Sequence, residues 1–451
     1  MIDKNNIPTS WEVVKLGEVC EILMGQSPAS STYNKKGIGL PFFQGKKEFT
    51  ELHPVVEKWC SEPNKIAEPD DILLSVRAPV GATNIANQKC CIGRGLAAIR
   101  FKENNLYIFY FLKLIEKQLD EKGTGTTFRA ISGEVLKATE IPLPPEKEIN
   151  RIVSKIEELF TELDKGIETL KATQQQLKVY RQAVLKWAFE GKLTMSELGK
   201  GGLKDDKMEK KILKSSNPKN HNADKGDLPE GWTMIPIKDF ADCLDHKRKP
   251  VNKTERQKRI GDIPYYGANG RTGWINDYLF NEPLILVVED ETFVGRELPF
   301  SYKITGKSWV NNHAHILKPR PNMNIDFLNY QLSFYPFLPL TTGTTGRKKL
   351  TKDKLINAII KCCPLKEQIK IVHEIESRLS VCDKMEETIA NSLQQAEALR
   401  LSILKKAFEG KLVEQNAEDE PAAMLLSELR LARLKDDRIK KVKRKNKTLY
   451  I

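Results

Sequence analysis

The chain has 451 residues, 40% of them hydrophobic and 29% charged, with a formal net charge of +13. That length suits two to four domains with their own cores. No run approaches the roughly 20 apolar residues that span a bilayer, which excludes a helical membrane protein. Ten Lys or Arg and only two Asp fall in 430–451, so most of the net charge sits in that one segment and the rest of the chain is only mildly basic.

In chain order, residues 1–12 lack the apolar core of an export signal, and the expected location is cytoplasmic. A Pro-x-x-Trp opening (Pro8, Trp11) leads into a short alternating strand. From there to residue 144, short apolar runs such as 71–76 and 95–99 are broken by Gly, Pro and Asn, which predicts a mixed, mainly β domain. One helix is expected over 105–120. Two loops gather polar, aromatic and basic groups: 41–47, with Phe43, Gln44, Lys46 and Lys47, and 124–129, with Thr126, Thr127 and Arg129.

Residues 145–193 predict a long helical arm. Ile149, Ile152, Ile156, Leu159 or Phe160, Leu163, Ile167, Leu170, Leu177 and Val184 recur at steps of three and four with a polar gap at Gln174, the spacing of a coiled-coil seam. Pro145 suits a first helical turn and Gly191 a C-terminal stop. A helix of about 45 residues would run roughly 65–70 Å. Residues 194–227, rich in Lys, Gly, Asn and Asp, read as a flexible linker.

The plan then repeats. Pro229 and Trp232 open a second mainly β domain over 228–363, with a helix expected near 325–334. Its polar and basic loops hold Lys247, Arg248 and Lys249, then Tyr265, Tyr266, Asn269 and Arg271, then Thr344, Thr345, Arg347 and Lys348. A second arm, 364–412, aligns with the first without a gap at an offset of 219, and 22 of 49 positions are identical. Its seam reads Ile371, Ile375, Leu379, Cys382, Met385, Ile389, Leu393, Ala396 and Ile403. Both arms close on Ala-Phe-Glu-Gly-Lys-Leu (Ala188, Phe189, Glu190, Gly191, Lys192, Leu193; Ala407, Phe408, Glu409, Gly410, Lys411, Leu412). The natural partner for one amphipathic arm is the other, packed antiparallel. Residues 413–451 form a charged tail whose basic end reads as solvated.

The predicted fold is therefore α+β: two mixed, mainly β domains, each followed by a long α-helix, the helices forming an antiparallel coiled coil. No catalytic constellation stands out. A phosphate loop, a glycine-rich nucleotide fingerprint and an Asn-Pro-Pro-aromatic motif are all missing from the sequence. The eight cysteines include no C-x-x-C, which suits a reduced chain with packing thiols. His313 and His315 share a strand face without an evident third ligand, so no metal site is expected. The loop residues instead have the chemistry of duplex reading: Arg and Lys for guanine, Asn and Gln for adenine, and Thr, Gly and Lys for phosphates.

The doubled plan, Pro-x-x-Trp openings, Pro-x-x-Glu-x-x-x-Ile-Val arm starts (Pro145, Pro364) and internal stretches 91–99, 264–270 and 311–317 resemble the specificity subunit of type I restriction-modification systems over nearly the whole chain. The resemblance implies that each domain reads one half of a split, asymmetric double-stranded DNA target. Residues implied in contact include Arg94 with the loop residues above. The arms would fix the spacer and, through their Ala-Phe-Glu-Gly-Lys-Leu ends, dock two methyltransferase subunits. Motor-nuclease subunits would join for restriction. Adenosylmethionine, ATP and Mg²⁺ would bind those partners and none of them this chain, which would be non-catalytic. Alternative readings are a modification-only specificity subunit, a coiled-coil adaptor that binds proteins, and a nuclease or methyltransferase in its own right.

Overall fold

A computed structural model describes residues 7–124, 129–193, 228–291, 293–343 and 348–448, with the backbone alone at 291 and from 436 onward. The chain forms two compact units: unit 1 joins 1–170 with 390–451, and unit 2 is 171–389. Each long arm helix is thus divided between the units, and unit 1 is assembled from two separate stretches of sequence.

The central sheet of unit 1 runs, in spatial order, Glu21–Met24, Leu96–Arg100, Ile72–Ser75 and Thr83–Ile85, all antiparallel. Its apolar runs are buried on both faces. Ile72, Leu74, Ala97 and Ile99 enter the main core, while Leu73, Leu96 and Ala98 enter a smaller core. That two-sided burial is why Ile72–Ser75 reads as a continuous apolar run and not as an alternating one. A second sheet contains one parallel pair, Leu40–Phe43 beside Cys90–Ile92.

Unit 2 has the same arrangement on a different sequence. Ala241–Cys243, Ala314–Pro319, Leu284–Val288 and Ser301–Ile304 form the central sheet. Ile263–Gly267 lies parallel to Lys307–Val310. The parallel registers match Phe42 and Phe43 to Cys91 and Ile92 in unit 1, and Tyr265 and Tyr266 to Trp309 and Val310 in unit 2. The Phe-Phe and Tyr-Tyr pairs are therefore structural equivalents.

The helix expected over 105–120 is two, Asn105–Leu114 and Glu116–Glu121, separated at Ile115; the Asn104 side chain caps the first by accepting from the Leu106 N–H. The second predicted helix is Ile325–Ser333, capped in the same way by Asn324. The arms are the 44-residue helices α1 (Glu146–Phe189) and α2 (Leu365–Phe408). In unit 1 the first half of α1 packs with the second half of α2: Ile149, Ile152, Ile156, Ile403, Leu404 and Phe408 share one core. In unit 2, Val184, Leu185 and Ala188 share a core with Ile371, Val372 and Ile375. Start meets end in both, so the packing is antiparallel. Met385, expected in the seam, is 44% exposed. Glu386 takes the inward place there and pairs with Arg181 at 3.1 Å.

Both arms stop at a glycine with positive φ, 75° at Gly191 and 68° at Gly410. The following amide closes the turn, Lys192 N–H to Trp187 O at 3.0 Å and Lys411 N–H to Lys406 O at 2.8 Å, in the manner of a Schellman cap. Each glycine lies directly under the proline of an opening. A Cβ on Gly410 would sit 2.4 Å from Pro8 Cγ, and one on Gly191 would sit 2.3 Å from Pro229 Cγ. The opening tryptophans complete the junctions. Trp11 Nε1–H donates to Glu148 at 3.0 Å and Trp232 Nε1–H to Glu367 at 2.9 Å. The repeated Pro-x-x-Trp, Pro-x-x-Glu and terminal Gly are thus one interlocked joint, present once in each unit.

The start of the tail belongs to the fold, while the side chains of its basic end from 436 onward lie outside the described residues. Its third long helix, α3 (Ala422–Thr448), begins with Ala422, Leu425 and Leu426 buried in the main core of unit 1. Upstream, Arg151 holds Asp419 through two hydrogen bonds of 3.3 and 2.5 Å. All eight cysteines are free, and burial pushes the thiols of Cys90, Cys243 and Cys363 up to about 12, which keeps them protonated. Among the described residues no helix is long and apolar enough to cross a membrane.

Candidate nucleic-acid interface

In unit 1 four segments converge at one end of the sheets, tied by backbone hydrogen bonds. Gly93 N–H donates to Phe43 O at 2.8 Å, Val76 N–H to Gly95 O at 2.9 Å, and Ala78 N–H to Arg129 O at 2.9 Å; Arg77 bridges Ala130. The approach is close enough to require glycine: a Cβ on Gly95 would lie 2.2 Å from Gln44 O. The side chains of Gln44, Arg77, Arg94 and Arg129 all stand exposed around this junction. The Arg94 N–H is fixed by Ser27 Oγ at 3.1 Å, and the Arg129 guanidinium by Asp120 at 3.2 Å. Lys46 and Lys47 sit on the adjoining turn, with Glu116 at 3.7 Å and Glu57 at 3.0 Å respectively. Phe43 is fully buried, so its ring fills the core and cannot meet a base. Thr126 and Thr127 lie outside the described residues. Arg77 went unnoticed in the sequence, where it looks like the end of an apolar strand.

Unit 2 builds the same frame with other side chains. Asn311 N–H donates to Tyr266 O at 3.1 Å and Glu289 N–H to His313 O at 3.1 Å, in the roles of Gly93 and Val76. Leu350 N–H donates to Glu289 O at 2.8 Å as Ile131 N–H does to Val76 O at 3.0 Å. Arg77 in one unit therefore corresponds to Asp290 in the other, and Arg94 to Asn312. Asn269 is exposed at a hairpin tip, its Oδ1 accepting from Arg296 at 2.8 Å. Arg271 lies 4.3 Å over the exposed Trp274 ring. Lys307 lies 5.0 Å from the Tyr278 ring. Trp274 and Lys307 were missed because the alternating pattern that reveals a strand does not say which face is solvated, and Tyr278 and Arg296 because they lie in connections that only the fold brings to this surface. Lys247 and Lys249 are exposed, and Lys348 is on a two-residue strand paired with Glu291. Tyr265 is buried, its hydroxyl donating to Val251 O at 3.2 Å, so it supports the loop from within; Tyr266 is half-buried against Tyr302. Thr344, Thr345 and Arg347 lie outside the described residues.

Arg248 also moves from surface to interior. Its guanidinium pairs with Glu289, lies 3.3 Å from Asp245 and donates to Ala314 O at 2.9 Å. His315, 1% exposed, completes this cluster with Nδ1 2.6 Å from Asp245 Oδ2 and Nε2 2.8 Å from Leu350 O. Both ring nitrogens thus face oxygen acceptors, which fixes the ring within the cluster. Burial works against the Asp245 carboxylate, but the hydrogen bond and charge of His315 outweigh it and hold its pKa below the ordinary value. Cys243, Asp245 and His315 could together approach a metal ion. With Arg248 already against Asp245 and the Cys243 thiol protonated, the group is a closed ion cluster that braces Leu350, next to Lys348 and Lys349. His313 turns the other way, half-exposed, with Nδ1 2.7 Å from Asp290.

The repeated arm ends are mostly spent inside the units. Ala188, Leu193, Ala407 and Phe408 are buried, so those four cannot present side chains to a docking partner, and Gly191 is buried as well. Phe189 packs on Phe327 at 5.2 Å, and Gly410 and Leu412 are partly covered. Lys192 and Lys411 are exposed beside the mostly covered Glu190 and Glu409, which they pair at 2.5 and 2.8 Å.

A family model described as the type I restriction modification DNA specificity domain matches the chain twice, over residues 8–178 and 229–395. The chain is 41% identical over 192 residues to a putative type I restriction enzyme MjaX specificity subunit from Methanocaldococcus jannaschii, a match that spans 42% of this chain and 44% of that relative. It is 24% identical to the EcoBI specificity subunit of Escherichia coli over 95% of this chain and 93% of that one. A crystal structure of the HsdS subunit from Thermoanaerobacter tengcongensis is 49% identical over 35% of this chain and 39% of that chain, with a TM-score of 0.32.

Proposed function

The chain belongs to the type I restriction-modification DNA specificity family, and on that premise we propose that each unit reads one half of a bipartite, asymmetric DNA target. The observation that carries this reading is the shared frame with unlike side chains. Where unit 1 offers Arg77 and Arg94, unit 2 offers Asp290 and Asn312. Arg bonds guanine O6 and N7, Asn the adenine edge, and a carboxylate accepts from cytosine N4, so the two frames suit different half-sites. Neighbouring Lys and Arg set register on phosphates.

In this reading α1 and α2 fix the spacing between half-sites and the outer surfaces of the arms dock two methyltransferase subunits. Those subunits bring adenosylmethionine; motor-nuclease subunits, where present, bring ATP and Mg²⁺. This chain contributes recognition and no catalysis. Co-expression with the subunits encoded beside it, followed by genome-wide mapping of adenine methylation, tests the proposal. The expected result is one split motif with a fixed spacer and unlike halves. An uninterrupted motif, or methylation independent of this chain, would overturn it.

A further inference from the structure

We propose that α3 is a sequence-independent clamp on the phosphate backbone of duplex DNA, anchored to unit 1. Its first turns are fixed. Ala422, Leu425 and Leu426 are buried in the unit 1 core, and the Ala422 N–H donates to Ser10 O at 3.0 Å. Arg430 pairs with Glu18 at 2.7 Å, and Arg433 donates to the Gly17 carbonyl. Ala422, Leu425 and Leu426 are buried and Leu429 is half-buried, at steps of three and four. Past Asp436 and Asp437 the sequence of the same helix becomes strongly cationic.

Seven of the ten residues from Arg438 to Lys447 are Lys or Arg, and none is Asp or Glu. Pairs such as Lys440 with Arg444 and Lys441 with Lys445 set like charges one turn apart, which disfavours an isolated helix. The helix nonetheless continues to Thr448. A polyanion relieves that repulsion, and duplex DNA offers one negative charge per about 1.7 Å of axis. Seven cations along ten helical residues, about 15 Å at about 1.5 Å per residue, come to roughly one per 2 Å, a linear charge density that duplex DNA matches. The inference rests on the DNA-reading function proposed above and adds a contact outside both reading frames.

The test compares the full chain with a variant carrying Lys440→Gln, Lys441→Gln, Lys443→Gln, Arg444→Gln and Lys445→Gln, in which glutamine keeps helix propensity. Binding to a random-sequence duplex is titrated by fluorescence anisotropy at several salt concentrations. The clamp predicts that the slope of log K against log salt falls in magnitude by about 3, with binding roughly tenfold weaker near physiological salt. Motif mapping should return the same two half-sites. An unchanged slope with an unchanged melting temperature would overturn the proposal. So would an unchanged slope accompanied by loss of a co-expressed subunit, which would assign α3 to an acidic protein surface. A reduced slope in a chain that directs no bipartite motif would leave the clamp standing and remove the half-site reading instead.

Discussion

Trp11 and Trp232 make the same hydrogen bond in different surroundings, and the difference has measurable consequences. Glu148 is 1% exposed and also accepts from Gln415 at 2.5 Å, whereas Glu367 is partly exposed. Glu148→Ala should therefore destabilise unit 1 by about 2 kcal/mol, since it strands buried donors, and Glu367→Ala by about half that, since water can replace the carboxylate. Hydrogen exchange in Glu12–Lys15 and Thr233–Pro236 would separate the two effects. Burial raises the Glu148 carboxyl above its ordinary value near 4.5, although its hydrogen bonds pull the other way. The folded state then binds that proton more readily than the unfolded state, so this group's contribution falls as pH rises from about 4.5 through its folded value. Glu148→Gln should flatten that dependence in melting curves. Asp245 has the opposite sign. Its lowered pKa means its contribution is present above the ordinary value near 3.8 and is lost as pH falls through the folded value. Asp245→Asn should cost about 3 kcal/mol at neutral pH by breaking a buried ion cluster, and the gap to the parent protein should close in acid.

At the level of elements, the glycines that end the arms act through backbone conformation and contact together. Gly191→Ala and Gly410→Ala would place a methyl group against Pro229 and Pro8 at positive φ. Each should destabilise by about 2 kcal/mol or more. Gly166 is the internal control: it lies within α1 with nothing within 4 Å of an added Cβ, so Gly166→Ala should stabilise by about 1 kcal/mol in thermal melts. These arms were the most legible part of the chain, because a 3–4 apolar spacing repeated at an offset of 219 leaves few other structures. Met385 shows the limit: spacing admits both 385 and 386 to the stripe, and the ion pair of Glu386 with Arg181 decided between them. The strands were legible as a class but not in their pairing. Nothing local in Phe42-Phe43 or Tyr265-Tyr266 announces a parallel neighbour about 50 residues away in sequence, since such pairing is settled by the packing of the whole sheet.

For the molecule as a whole, the repeat and its interruption describe a division of labour. What recurs in sequence is the joint of Pro, Trp, Glu and Gly that ties each opening to the arms. What recurs only in structure is the reading frame, whose backbone is held constant while its side chains change. Sequence patterning found Gln44, Arg94, Asn269 and Arg271 because they lie in glycine-rich turns. It overlooked Arg77 because that residue joins the junction only through the fold, and it placed Arg248 outside because nothing local foretells Glu289 and Asp245 around it. The division makes a prediction that neither unit could supply alone. Gln44→Ala, Arg77→Ala and Arg94→Ala should each relax the half-site read by unit 1, by about 1–3 kcal/mol where the residue bonds a base, and leave the other half-site unchanged. Asn269→Ala and Arg271→Ala should do the reverse. The spacer should stay fixed in all five, because none of them lies in α1 or α2. Methylation mapping of the five variants reads both halves and the spacer at once. Relaxation spread evenly over both half-sites would mean that the two frames are not separate readers, and a changed spacer would mean that the loops and not the arms set the distance.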